Sequence, residues 1–147
     1  MNYQHILLVT DLKNDADLVA AKAKMMLNAH PNAQLSVLHV VKDNMVGFGY
    51  ELIPASSIYD GVDKERQQIA QQKSQELLKR HDIDSGNINI NTAISSSNGI
   101  ISYCHSHQVD LMIIGRHERH GLSALLKGTT IDNILPDINC DVFIVQL

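Results

Sequence analysis

The chain has 147 residues, 44% of them hydrophobic and 19% charged, with a formal net charge of −4. That is the size of one domain, residues 1–147, with enough apolar material for a core. The acidic balance, the lack of a Lys/Arg cluster, an aromatic content of 4% and the absence of Trp argue against nucleic acid or an anionic membrane as partner, which call for a basic face or a stacking platform.

No apolar stretch approaches the roughly 18 residues that cross a bilayer. The opening Met1-Asn2-Tyr3-Gln4-His5 lacks the basic start and long apolar run of a signal peptide, so a cytoplasmic location is expected. Residues 5–10, His-Ile-Leu-Leu-Val-Thr, form a short continuous apolar run that fits a strand buried on both faces. Asp11 closes it. A helix is expected from about residue 14 to 29, capped by Asn14 or Asp15, with Leu18, Ala21, Met25 and Ala29 on one face. Pro31-Asn32 ends it.

Residues 34–41 read as a second strand. Residues 42–60, with Gly47, Gly49 and Pro54, read as a long irregular loop. A polar helix follows over about 62–80, its apolar positions being Val62, Ile69, Leu77 and Leu78. Ile88, Ile90, Thr92 and Ile94 alternate as a third strand within 87–94. A turn over 95–98 leads to a helix over about 99–107, and residues 109–114 form a fourth strand. Residues 115–128 are a glycine-bounded loop. A short helix starts near Thr129 and stops before Pro136, and 141–147 is the last strand.

Strands alternating with helices make an open parallel sheet with helices on both faces. The expected class is α/β, Rossmann-like, with strand order 3-2-1-4-5. Ligands in such sheets sit beyond the C-terminal strand ends, where the strand order reverses. Asp11 ends strand 1 and Gly115 ends strand 4, so both face that crevice. A strand ending at a glycine is a common phosphate site, because backbone N–H groups point at the anion and glycine lets it approach.

The residues that carry this pattern resemble a known family. His-Ile-Leu-Leu-Val-Thr-Asp at 5–11, Leu-Ser-Val-Leu-His-Val-Val at 35–41, Asp-Leu-Met-Ile-Ile-Gly at 110–115 and Gly-Leu-Ser-Ala-Leu-Leu-Lys-Gly-Thr at 121–129 look like the universal stress protein family. The resemblance spans the whole chain. It implies the adenine nucleotide alpha hydrolase-like form of the Rossmann-like fold and a dimer through the C-terminal strand, 141–147. An apolar edge there (Val142, Phe143, Ile144, Val145) also invites pairing on physical grounds.

In the nucleotide-binding branch of that family the loop reads Gly-x2-Gly-x9-Gly-(Ser/Thr). Here the first glycine is Gly115, the second position is Glu118, and the third is Gly128 with Thr129 after it. The resemblance implies that Asp11 lies at the nucleotide and that Val40 or Val41 meets adenine. The candidate site is therefore Asp11, Val40, Val41, Ile114, Gly115, His117, Gly128, Thr129 and Thr130, for ATP or AMP with Mg2+.

Each residue also has a plainer reading. Asp11 either contacts a ribose or a phosphate-bound metal, or caps a local turn. Gly128-Thr129-Thr130 is either a phosphate-binding helix start or a glycine turn with a Thr cap. His39 reads as a satisfied core or pocket histidine. Cys104 and Cys140 read as two small buried thiols. Arg116, His117, Arg119 and His120 make the loop basic, which suits phosphate or a solvated surface.

Glu118 has three readings: it replaces the glycine in a non-binding member, it points to solvent, or it helps hold a divalent cation. A carboxylate about 4 Å from a phosphate charge repels it by about 1 kcal/mol in water and about 4 in a partly shielded site. The larger value is about a thousandfold in affinity. No nucleophile motif and no Gly-x4-Gly-Lys-(Ser/Thr) loop is present, so catalysis is not expected. Two functions follow: a non-catalytic dimeric stress-response module, or an ATP- or AMP-binding sensor with slow hydrolysis at most. Glu118→Gly separates them by calorimetry. In the first, the substitution creates tight ATP binding where the wild type shows none; in the second, the wild type already binds.

Overall fold

The computed structural model describes residues 2–43, 45–48, 51–54, 60–84, 86–117 and 130–147, and for 45–48, 51–54 and 60–63 the backbone alone. Its elements are β1 (His5–Val9), α1 (Ala16–Ala29), β2 (Gln34–Lys42), β3 (Met45–Phe48), β4 (Glu51–Pro54), α2 (Asp60–Arg80), β5 (Asn87–Ala93), α3 (Ser96–His107), β6 (Leu111–Arg116), α4 (Thr130–Ile134) and β7 (Asp141–Gln146). A 3-10 turn over Leu135–Asp137 extends α4.

The main sheet has five parallel strands in the order β5-β2-β1-β6-β7. This is the expected 3-2-1-4-5 order once β3 and β4 are set aside. Those two pair antiparallel as a hairpin, Met45 with Pro54 and Phe48 with Glu51. The expected irregular loop over 42–60 is therefore wrong in part. Glycine and proline hid two strands of four residues each, too short to show a period.

Helices α1 and α2 cover one face of the sheet, where Val19, Ala20, Ala23, Leu77 and Leu78 meet Ile6, Leu8, Val37 and Ile113. Helices α3 and α4 cover the other, where Ile100, Tyr103, Ile131 and Ile134 meet Leu7, Leu38, Met112 and Ile114. Burying each of the larger aliphatic side chains contributes about 1.5–3 kcal/mol.

The buried face of α1 is Ala16, Val19, Ala20 and Ala23, not the expected one. Leu18 is 54% exposed and Met25 47%. The helix is apolar around most of its circumference, so periodicity could not choose a face, and close approach to the sheet selected alanines. Ile69 on α2 is likewise exposed, while Ala70 and Ser74 turn inward. Ile94 is exposed and falls just beyond β5.

Helix α3 starts three residues earlier than expected because Ser95 caps it. The Ser95 hydroxyl accepts the Asn98 N–H at 3.1 Å, leaving residues 96–98 as the first helical turn. The helix ends at Gln108, left-handed at φ 50°. Strand β6 begins at Leu111 and runs to Arg116, two residues later at both ends than the sequence pattern implied. The Asp110 carboxylate accepts the N–H groups of Gln4 and His5 at 2.8 and 2.9 Å, which ties the start of β1 to the start of β6.

Gly99 sets how closely α3 approaches β2. A Cβ there would lie 2.7 and 2.8 Å from the two γ-carbons of Val40. Val40 is stiff at χ1 and has little room to turn away. Gly99→Ala gains about 1 kcal/mol of helix propensity and meets an overpacking cost of about 1–3 kcal/mol. We expect net destabilisation of up to about 2 kcal/mol in urea denaturation, with the m-value unchanged; a stabilised variant would contradict this packing.

Candidate functional site at the C-terminal end of the sheet

The chain leaves β1 outward on one side to β2 and β5, then returns to β6 and β7 on the other. Ligand crevices in doubly wound folds form at this reversal. Here it holds an open cavity of about 740 Å³. Seven expected site residues line it together: Asp11, Val40, Val41, Ile114, Gly115, His117 and Thr130. Glu118, Arg119, His120, Gly128 and Thr129 lie outside the described residues.

The loop from β1 to α1 is built from local polar bonds. The Thr10 hydroxyl accepts the Leu12 N–H at 3.0 Å and Asp11 Oδ1 accepts the Lys13 N–H at 2.9 Å, an Asx-type turn. Leu12 is held left-handed at φ 58°, a strained backbone for a branched residue. Asp11 thus does cap a local turn, but its second oxygen is used elsewhere. His117 Nε2 stands 3.1 Å from Asp11 Oδ2, and His117 Nδ1 stands 3.8 Å from Asp15 Oδ2. The two sides of the crevice meet through this imidazole.

Asp15 occupies the N-cap position of α1 yet makes no side-chain cap bond; its carboxylate faces His117 instead. Partial burial pushes the Asp11 carboxyl upward. The hydrogen bonds from the Lys13 N–H and from His117 outweigh it and hold the group below the usual carboxylate value.

His39 Nδ1 lies 2.8 Å from the Thr10 carbonyl oxygen. A carbonyl only accepts, so Nδ1 carries the proton and Nε2 of the neutral ring is an acceptor. His39 lines the cavity, so its reading as a satisfied pocket histidine stands.

Gly115 has a packing role that the sequence did not reveal. A Cβ there would meet Leu147 Cδ1 at 2.7 Å and Val19 Cγ2 at 2.9 Å. The Leu147 N–H donates to the Arg116 carbonyl at 2.9 Å, which seats the last residue against the glycine and in the cavity wall.

Sequence reasoning also missed the cations. Lys13, Lys42, Arg66 and Lys73 line the cavity against the carboxylates Asp11 and Asp15. The pocket is thus locally positive in a chain of net charge −4, which favours an anion. These residues are scattered along the chain, so no linear cluster marked them. Lysines at helical spacing on α2 read equally well as a solvated face. Among the described residues, no group of three or more His, Cys, Asp or Glu is placed to hold a metal ion. Nor is any described helix long and apolar enough to cross a membrane.

The fold and crevice define a doubly wound α/β protein with a polar, net-cationic pocket at the switch point. The family model described as "Universal stress protein family" matches residues 2–146, and the chain belongs to that family. Universal stress protein A homolog 1 of Coxiella burnetii is 30% identical, over 100% of this chain and 99% of its own length. Two solved structures share the fold. A universal stress protein in complex with cAMP has a TM-score of 0.68 at 14% identity, covering 99% of this chain and 98% of that one. The universal stress protein from Archaeoglobus fulgidus in complex with dAMP has a TM-score of 0.63 at 12% identity, covering 99% of each chain.

Because Asp11 is held ionised below the usual carboxylate value, its contribution to stability is present above about pH 4 and lost as pH falls through the lowered folded value. The carboxylate is 41% exposed, so screening keeps the contribution small. Wild type should exceed Asp11→Asn in Tm near neutral pH, with the gap closing in acid as the pH falls through the lowered folded value. A gap that widens in acid would reverse the assignment.

Proposed function

We propose that this chain is a single universal stress protein domain acting in the cytoplasm as a non-catalytic, homodimeric stress-response module. In this reading it takes an adenine nucleotide in the cavity between β1 and β6. Asp11 receives ribose hydroxyls, Val40 and Val41 flank the base, and Gly115, His117, Gly128, Thr129 and Thr130 face the phosphate end.

The observation that carries the reading is that every described member of this set lines one cavity, and that four cationic side chains line it too. A mononucleotide fits a void of this size. The relatives crystallised with cAMP and dAMP support the adenine class and a short phosphate. Glu118 points the same way, since a carboxylate in the loop penalises a long polyphosphate more than a single phosphate.

The dimer is assigned to residues 141–147. Strand β7 is one of the two outer strands of the sheet; Val142, Phe143 and Ile144 remain half-buried along it, while Val145, expected on the same edge, is buried in the core. The non-catalytic assignment rests on the sequence, which carries no recognisable nucleophile or phosphate-loop motif.

Calorimetric titration of nucleotide-stripped protein with AMP, cAMP and ATP, with and without Mg2+, tests the reading. We expect AMP to bind in the micromolar range and ATP more weakly. Lys42→Ala or Lys73→Ala should weaken AMP by roughly threefold to tenfold, the worth of a partly screened charge pair. No heat with any nucleotide up to millimolar would leave the dimeric module without nucleotide control.

A further inference from the structure

Helix α2 supplies a wall of the cavity to which the nucleotide reading assigns no base contact. Arg66, Ile69, Ala70 and Lys73 all line the void. Steps of three, four and seven residues put them on one face of the helix. The stretch around them is polar, Lys-Glu-Arg-Gln-Gln-Ile-Ala-Gln-Gln-Lys over 64–73. Two bonds seat α2 over the ends of the strands. Arg66 Nη2 donates to the Lys42 carbonyl at 3.2 Å, and Gln67 Nε2 donates to the Thr92 hydroxyl at 3.3 Å.

Ile69 is 47% exposed. A single exposed aliphatic side chain is ordinary on a protein surface, so its position decides its meaning. Among the described residues the other exposed large apolar side chains are Leu18, Met25, Ile94 and Leu135. None of those four lines the cavity, and Ile69 does.

The strand below presents a matching surface. Val37 packs in the layer of α1 and α2, and Leu38 in the layer of α3 and α4. Side chains alternate along a strand, so Val41 faces the α2 layer as Val37 does. Val41 and Ala70 are buried, and both border the void with Ile69. These three form an apolar patch on the α2 side. Asp11 and His117, on the β1–β6 side, are polar and paired at 3.1 Å. A ligand with a flat ring and an anionic arm is sorted by this arrangement, ring to the patch and arm to the far side. Arg66 and Lys73 stand about one helical turn to either side of Ile69. Cations there suit a base as well, since they are attracted to the face of an aromatic ring.

We propose that Ile69 is the residue that covers the nucleobase, closing the α2 side of the site over a ring seated at Val41. Ile69 in this role presupposes the nucleotide reading and adds the element that holds the base. Isoleucine is β-branched and keeps one χ1 rotamer in a helix, so little ordering is lost when the ring arrives. The side chain carries no hydrogen-bonding group. It selects by ring area: a purine buries more of it than a pyrimidine does, and a sugar phosphate without a base buries none.

Wild-type protein with 13C-labelled isoleucine methyls and 15N-labelled amides is titrated with AMP and with ribose 5-phosphate, the Ile69 methyls being assigned by their loss in Ile69→Leu. AMP should move these methyls upfield through the ring current, saturating together with the Gly115 and His117 amides. Ribose 5-phosphate should move those amides and leave the methyls still. Ile69→Ala should weaken AMP by roughly tenfold and leave ribose 5-phosphate unchanged, while Ile69→Leu keeps most of the AMP affinity. Both variants should fold, because Ile69 belongs to neither core cluster. AMP that shifts Gly115 and His117 without the Ile69 methyls overturns the role of Ile69 and leaves the nucleotide site standing. So does an Ile69→Ala variant that keeps full AMP affinity, or that weakens both ligands equally. AMP that moves no residue of the cavity overturns both. The wild-type methyl titration decides this even where a variant folds poorly.

Discussion

Strand β1 lies between β2 and β6, with Ile6, Leu7 and Leu8 fully buried. Those side chains alternate between two apolar clusters, Ile6 and Leu8 toward α1 and α2, Leu7 toward α3 and α4. A one-residue slip would exchange the two sets and mismatch both layers. The pairing of Leu8 with Ile113 therefore fixes where each strand ends, with Asp11 leaving one and Gly115 leaving the other. The crevice is a consequence of that register, and its polar loops are free to carry function because the strands below them are locked.

Charge then decides what the crevice favours. His117 stands between two carboxylates, 3.1 Å from Asp11 and 3.8 Å from Asp15. Lys13, Lys42, Arg66 and Lys73 surround the same space. The opposite end of the sheet is organised by different bonds, with Asp110 accepting two backbone N–H groups. One sheet thus separates a net-cationic crevice from the end that Asp110 ties together, and β6 runs between them.

The strand order was legible because β1, β2 and β6 are apolar runs long enough to be unambiguous. That Asp11 and Gly115 face one crevice was legible because the ends of such runs can be read; Val40 and Val41 were named from the family resemblance, and with Ile114, His117 and Thr130 they line the same cavity. What failed shares a cause: information that only packing supplies. Apolar residues lie around most of α1, and only contact with the sheet selected Val19 and Ala20 over Leu18. The hairpin of β3 and β4 is too short for its period to register. Gly115 was read for phosphate approach, yet Leu147 and Val19 already exclude a Cβ there, and no linear pattern predicts the seat of the last residue. Lys42 and Lys73 joined the site through the fold alone.

The central claim is that the switch-point cavity between β1 and β6 is the adenine nucleotide site. Amide chemical-shift mapping of 15N-labelled protein during titration with AMP tests it residue by residue. The account predicts saturable shifts at Asp11, Leu12, Lys13, Val41, Lys42, Gly115, His117 and Thr130, with Cys104, Cys140 and Asp110 unmoved. Shifts centred on the α2–β5 side or on the end of the sheet that holds Asp110, or none that saturate, would contradict it.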